Sequence, residues 1–269
     1  MTSSRDAGRR DRTVTLLVPA LNEISGMRRI LPRIRREWVD QILVLDGGST
    51  DGTVEYAVEH GWEVYRQKQV GIRLGYIEAY AQITGDVIVT FSPDGNSIPE
   101  LLPELIAKIR NEHHDMVIVS RYLEGAKSYD DTWLTRFGNY ALTTMINLLF
   151  AARYTDALVL FRAYRREIPR KLGLTEVRSA RYERWIGRFI SWEPQLSIRS
   201  AQRKLKVAEI PGDEPRRVED ETKAASFLPT SRIFHFKSGF ACLYTIFEEF
   251  WRGALAKSRR VIRRLMRIP

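Results

Sequence analysis

One cysteine, Cys242, stands in a chain of 269 residues. No disulfide can close within the chain, and no thiolate cluster can hold zinc or an iron–sulfur centre. Histidine is scarce as well: His60, His113, His114 and His235 show no metal-ligand spacing. No apolar run approaches the roughly 20 residues that a membrane-spanning helix needs. The apolar stretch behind the basic start, residues 13–21 (TVTLLVPAL), is too short for a secretory signal core with a cleavage site. Solenoid-type repeats are absent, and so are zinc modules and RNA-binding aromatic signatures. Acidic residues fall short of basic ones, 33 against 43, which leaves a formal net charge of +10. Such an excess suits an anionic partner: nucleic acid, anionic lipid or a phosphorylated small molecule. The missing nucleic-acid motifs turn the choice from the first to the other two.

What is present is an alternation. Short continuous apolar runs (TVTLLVPA, QILVLDG, WEVYRQ, DVIVTF, DMVIVSR) are separated by segments of helical period. That pattern predicts a mostly parallel sheet covered on both faces by helices. Three polar loops follow three of the strands: Asn22 and Glu23 after VPAL, residues 46–52 (DGGSTDG) after ILVL, and residues 92–96 (SPDGN) after VIVTF. Ligands in such sheets bind beyond the carboxyl ends of the strands, so the three loops predict one site. Past Arg121, residues 123–131 read as a mobile loop, 132–151 as a long helix with an apolar face, 179–204 as partly helical and 206–211 as a short strand. The organisation expected is a flexible basic tail over 1–12, one large domain over 13–230, and an extension over 231–269. That extension ends in Lys257, Arg259, Arg260, Arg263, Arg264 and Arg267 among apolar residues, a basic amphipathic helix suited to an anionic membrane surface.

The residue types in the three loops suggest their chemistry. Pro19, Asn22 and Glu23 can shape and hydrogen-bond a nucleotide pocket. Asp46 at a strand end can read the N–H edge of a base, while Gly47, Gly48 and Gly52 allow tight turns and Ser49, Thr50 and Asp51 can cap the next helix. Their spacing is not that of a dinucleotide fingerprint. Asp94 is a rigid carboxylate suited to a divalent ion bridging two phosphates, and Asn96 can add an oxygen. Arg73, after Gly71, can reach a diphosphate, and Glu193 can stand beside an acceptor.

In combination these segments resemble the family 2 glycosyltransferases, in particular those similar to dolichyl- and polyprenyl-phosphate hexose synthases, over roughly residues 13–225. Pro19, Asn22 and Glu23 meet the family's first motif. Asp46, Gly48, Ser49, Asp51, Gly52 and Thr53 meet the second, with Gly47 in place of its second Asp. Counting back from Pro99–Glu100 puts the second Asp of the family's Asp-x-Asp on Asp94 and the first on Ser92, with Pro93 between. Ser120, Arg121 and Tyr122 match a Gly-Ser-Arg-Tyr segment, and Asp156 with Phe161 and Arg162 matches Asp followed by Gly-Phe-Arg, Leu160 replacing the glycine. Arg217 and Lys223 match the basic ends of a phosphate-approaching loop.

The resemblance implies a GT-A nucleotide-diphospho-sugar transferase fold, Rossmann-like, acting as a hexosyltransferase. It implies a UDP- or GDP-sugar donor in a pocket of Pro19, Asn22, Glu23, Asp46, Gly48, Asp51, Arg73, Ser92 and Pro93. Mg2+ or Mn2+ would sit at Asp94 and Asn96, and Asp94, Arg121 and Asp156 would be catalytic. Single displacement with inversion would carry a hexose to a lipid phosphate held by Arg121, Arg162, Arg217 and Lys223, at the inner face of the cell membrane with no nucleic-acid partner. Transfer to a hydroxyl of a lipid-linked glycan or another acceptor, which requires a general base, is the alternative within enzymes; Asp156 and Glu193 are candidate bases. A non-catalytic binding protein on a decayed transferase fold is the alternative outside them, argued from Ser92 and Leu160.

Overall fold

The computed structural model describes residues 13–177, 191–218 and 232–265, with side chains in the last stretch from Lys237 to Leu255. The alternating first half folds as β1 (Val14–Ala20), α1 (Ile24–Ile30), β2 (Gln41–Asp46), α2 (Thr53–Glu59), β3 (Glu63–Arg66), α3 (Ile72–Ala79), β4 (Val87–Thr90), α4 (Leu102–Arg110) and β5 (Met116–Ser120). Then come α5 (Trp133–Phe150), β6 (Arg162–Arg165), α6 (Glu167–Lys171), α7 (Glu193–Gln202), β7 (Val207–Pro211) and α8 (Arg232–Leu265). The sheet order is β3-β2-β1-β4-β6-β5-β7.

Every neighbouring pair is parallel except those of β6, which runs antiparallel to β4 and to β5. The reversal has a local cause. β6 is entered from the loop at residues 155–161, which lies where its neighbours end; Val119 N donates to Phe161 O, so the strand must run back.

The continuous apolar strands are buried on both faces. Leu16, Val18, Val44 and Phe91 pack with Leu105 and Ile109 of α4 on one face. Leu17, Leu43 and Tyr164 pack with Tyr76 of α3, Ile146 of α5 and Trp192 beside α7 on the other. Each fully buried Leu or Val of this kind stabilises by about 1.5–3 kcal/mol.

Helix ends follow from local chemistry. α4 begins behind a 3-10 turn at Pro99–Leu101 and carries Pro103 in its first turn, where the missing N–H costs nothing. α5 starts at Thr132, whose hydroxyl accepts from Thr135 N, and ends on Ala151 with φ 53. Near the C-terminus α8 is one 34-residue helix that packs against α5 and α7; the side chains of its basic end lie outside the described residues. α5 and α8 leave Trp133, Phe137, Tyr140, Phe247 and Trp251 exposed. Among the described residues, no helix is long and apolar enough to cross a membrane.

Candidate active site

The loops after β1 and β2 are zipped to each other. Asn22, in the left-handed region at φ 55, donates its amide to Ser49 Oγ (2.9 Å) and accepts from Thr50 N through Oδ1 (2.9 Å). Glu23 N reaches Thr53 Oγ1 at 2.9 Å, and Ile24 N reaches Asp51 Oδ2 at 3.1 Å. Asp46 is fully buried and accepts from Ser49 N (2.9 Å), Gly48 N (3.1 Å) and Arg66 Nε (3.0 Å). Burial works against its charge, yet the hydrogen bonds from Ser49, Arg66 and Gly48 together hold its carboxyl below the ordinary value. Gly48, at φ 104, takes a conformation that suits glycine. Pro19 lies opposite Leu45 at the end of β1. The structure thus brings Pro19, Asn22, Glu23, Asp46, Gly48 and Asp51 together at the carboxyl ends of β1 and β2.

The loop after β4 carries Ser92, Pro93, Asp94 and Asn96. Asp94 is buried. Its Oδ1 accepts from Asn96 N (3.2 Å), its Oδ2 pairs with Arg217 Nε (3.3 Å), and its carbonyl accepts from Val218 N (2.8 Å). Arg217 also reaches Asp130 Oδ2 at 2.9 Å. Gly26 of α1 sits directly on this loop: an added Cβ would overlap Pro93 O and lie 2.9 Å from Asp94 Cα.

A third group stands across from Asp94. Arg121 grips Asp156 in a fork, Nε to Oδ2 at 2.6 Å and Nη2 to Oδ1 at 3.1 Å, and reaches Glu214 Oε2 with Nη1 at 3.2 Å. Glu214 accepts from Asn96 Nδ2 (3.3 Å) and from Ser128 Oγ. Burial pushes the Glu214 carboxyl up, against the pull of Arg121 and Ser128. Ser92, Asp94, Asn96, Arg121, Glu214 and Arg217 line one cavity of about 270 Å3, with Leu158, Val159, Leu160 and Phe161 forming its apolar wall.

Several expected roles do not survive this geometry. Asp156 is fully buried and held by Arg121, and its amide is bound by Glu209, so it fixes the guanidinium and cannot itself meet a substrate. Arg162 is buried on the other side of the wall, its donors directed to main-chain carbonyls and Ser197, so it touches no acceptor. Arg73 is buried and lines a separate crevice with Leu174, Gln195, Arg199 and Arg252; the turn of α3 directs it there, away from the Asp94 cavity. Glu193 is buried in the core beneath. Lys223 lies outside the described residues.

Glu214, Asp130 and Gly26 had escaped the sequence reading. Glu214 belongs to a run, GDEPRR, whose polarity reads equally as a solvated turn.

Among the described residues no group of three His, Cys, Asp or Glu side chains is arranged to hold a metal ion. Asp94 alone fits a hard divalent ion that takes one carboxylate from the protein and further oxygens from substrate phosphates and water. Asn96 directs Nδ2 to Glu214 and its carbonyl to Ser97 Oγ, so its first partner is the carboxylate cluster.

The model of glycosyl transferase family 2 matches residues 15–173. The chain belongs to this family. It is an enzyme of the GT-A type that moves a sugar from a nucleotide-diphosphate donor. Over 224 residues it is 24% identical to a UDP-N-acetylglucosamine–dolichyl-phosphate N-acetylglucosaminyltransferase of Methanococcus voltae, covering 75% of this chain and 85% of that one. It is 26% identical to a polyprenol monophosphomannose synthase of Mycolicibacterium smegmatis over 207 residues, 73% and 75% of the two chains.

In fold it is similar to glucosyl-3-phosphoglycerate synthase of Mycobacterium tuberculosis, with a TM-score of 0.60 at 18% identity over 88% of this chain and 80% of that one; that structure holds Mn2+, UDP-glucose and glycerol 3-phosphate. Another structure of the same synthase, TM-score 0.59 at 19% identity, holds Mn2+, UDP and phosphoglyceric acid and is matched over 88% and 78% of the chains. The divalent ion expected from the sequence, and the UDP of the expected UDP- or GDP-sugar, agree with what that protein holds. The expected partners do not: that protein is held with small phosphate esters, which overturns the expectation of a lipid phosphate and an anionic membrane surface.

Proposed function

We propose that this glycosyltransferase moves a hexose from a UDP-sugar, with Mn2+ or Mg2+, to a hydroxyl of a small phosphate-bearing acceptor of the phosphoglycerate class. The observation that carries the reading is Glu214, a carboxylate lining the same cavity as Asp94 with its carboxyl raised by burial. A hydroxyl acceptor needs a base whose pKa lies nearer neutrality than an ordinary carboxylate. Asp156 is excluded from that part by its fork with Arg121. The cavity, about 270 Å3, is just below the usual ligand-pocket sizes of roughly 300–1,000 Å3, in keeping with a sugar ring and a short acceptor.

Each side chain then has a part. Asn22, Glu23, Asp46, Gly48 and Asp51 form the nucleoside end, Asp46 mainly by building its turn. Asp94 would hold the divalent ion, which supplies neutralisation of the departing diphosphate. Arg217, exposed at the cavity rim, offers the cation for the acceptor phosphate. Glu214 takes the proton of the attacking hydroxyl, and Arg121 holds Glu214 in place. Attack at C1 from the face opposite the diphosphate inverts the anomeric carbon.

The test is transfer from UDP-[14C]glucose with Mn2+ to 3-phosphoglycerate, glycerol 3-phosphate and dolichyl phosphate in parallel. An acid-stable glycoside on a phosphate ester supports the reading, and its anomeric coupling in a proton NMR spectrum reads the stereochemistry. An acid-labile sugar phosphate on the lipid alone overturns it. Asp94→Ala should abolish turnover at every Mn2+ concentration; unchanged turnover sinks the metal assignment.

A further inference from the structure

The wall formed by residues 157–161 is held from behind. Arg162 Nε donates to Val159 O at 2.9 Å, and Nη2 reaches Val159 O and, at 3.3 Å, Ala157 O. Nη1 donates to Ser197 Oγ at 2.9 Å, and Ser197 Oγ in turn donates to Ala157 O at 2.7 Å. Thr90 Oγ1 takes the next carbonyl, Leu160 O, at 2.6 Å. The carbonyls of Ala157, Val159 and Leu160 are therefore anchored inward while Leu158, Val159 and Leu160 line the cavity. Only a planar fork of donors reaches these acceptors at once; an ammonium on a flexible stem does not.

A fully buried guanidinium in this position is otherwise unexplained. Burial lowers its pKa, and Glu193 is the foremost charge holding it up. Glu193 is itself fully buried, and burial pushes its carboxyl up against the pull of Arg162. It opens α7, the helix that also provides Ser197. Arg162 Nη1 also lies 3.5 Å from the main-chain carbonyl of Glu193, besides its bond to Ser197, so the helix and the wall are tied through Arg162.

We propose that Arg162, anchored to α7 through Ser197, is a positioning residue that sets the acceptor-side wall of the active-site cavity without touching substrate. The assignment rests on the hydroxyl-acceptor reading for its kinetic arm and on geometry alone for its structural arm. Arg162→Lys keeps the charge and removes the fork. Ser197→Ala removes the acceptor of Arg162 Nη1 together with the relay to Ala157, leaves the bonds to Val159 O, and serves if the lysine variant does not fold.

Three measurements apply to both variants: hydrogen–deuterium exchange at residues 157–161 and 92–97, UDP affinity with Mn2+ by calorimetry, and KM for 3-phosphoglycerate. The expected result is faster exchange at 157–161 only, UDP affinity within about twofold, and an acceptor KM raised on the order of tenfold, since sub-ångström to 1 Å displacements near a reacting centre cost up to about 10²-fold. Unchanged exchange at 157–161 overturns the proposal, and so does a matching loss of UDP affinity and acceptor KM. If the native enzyme glycosylates no phosphate ester, the functional reading fails and the exchange pattern alone decides this one.

Discussion

Gly26→Ala offers a test in which stability and activity should part company. Gly26 lies in α1 with helical neighbours, where alanine is intrinsically better than glycine by about 1 kcal/mol. The methyl, however, would overlap Pro93 O and approach Asp94 Cα to 2.9 Å and Asp94 C to 3.1 Å. Unstrained carbon contacts lie at roughly 3.5–4.0 Å, so the loop must retreat by about 0.5–1 Å at Asp94. Overpacking of this kind costs about 1–3 kcal/mol. Set against the helix gain, the net loss of stability is about 0–2 kcal/mol, small enough for the variant to fold. The displacement falls on the carboxylate assigned to the divalent ion, where a shift near 1 Å costs about 10²-fold in rate. Circular dichroism melting and steady-state turnover with varied Mn2+ would read the two effects. A variant with native kcat/KM would refute the claim that the contact between α1 and the 93–94 backbone places Asp94. So would one that loses activity only in proportion to unfolding.

Other side chains give sharper chemical readouts. Glu214→Gln should lower kcat by about 10²–10⁴-fold and remove the acid limb of the pH profile. In the native enzyme burial raises the Glu214 carboxyl and the base works ionised. Activity should therefore fall as pH drops through a value above the ordinary glutamate figure of about 4.3, and a limb unchanged in the glutamine variant excludes Glu214. Asp156→Asn leaves the Arg121 guanidinium without half its fork, and a broken buried pair costs about 3–5 kcal/mol, measurable as a fall in urea midpoint. Arg217→Gln removes the competing cation from Asp94, so Mn2+ alone should bind more tightly by electron paramagnetic resonance while KM for the acceptor rises; weaker Mn2+ binding contradicts the assigned geometry.

The sheet and the place of the site were legible because their signals are local. A continuous apolar run ending in Asp-Gly or Asn-Glu fixes both the strand and the end at which its loop emerges, and β1, β2 and β4 follow that rule. The direction of β6 was not legible, since RAYR reads the same way up or down and only the preceding loop sets its sense. Nor were the arginines. Arg73, Arg162 and Arg217 all stand near glycine- or aspartate-rich motifs, and nothing in their neighbours distinguishes a rim cation from a core anchor. Glu214 was hidden for the converse reason. Its sequence neighbours are polar, and it becomes a half-buried carboxylate only when Asn96, Arg121 and Ser128 arrive from distant segments.

Burial sorts the carboxylate–guanidinium pairs into two kinds, and the sorting follows function. Asp46 pairs with Arg66 and Asp94 with Arg217, arginines whose side chains are 65% and 59% exposed. Pairs so wetted hold their partners by about 0–1 kcal/mol, so a diphosphate, a divalent ion or an acceptor phosphate can displace them at small cost. Arg121, 11% exposed, faces Asp156 in the interior, where losing a partner costs about 3–5 kcal/mol, and Arg162 is fully buried among main-chain carbonyls and Ser197. The exchangeable charges thus stand at the loops where ligands arrive, and the fixed ones stand behind the wall and the proposed base. An enzyme that must gather several anions beside its own carboxylates needs that division: neutralising cations that can change partners at the mouth, and a frame that cannot relax when they do.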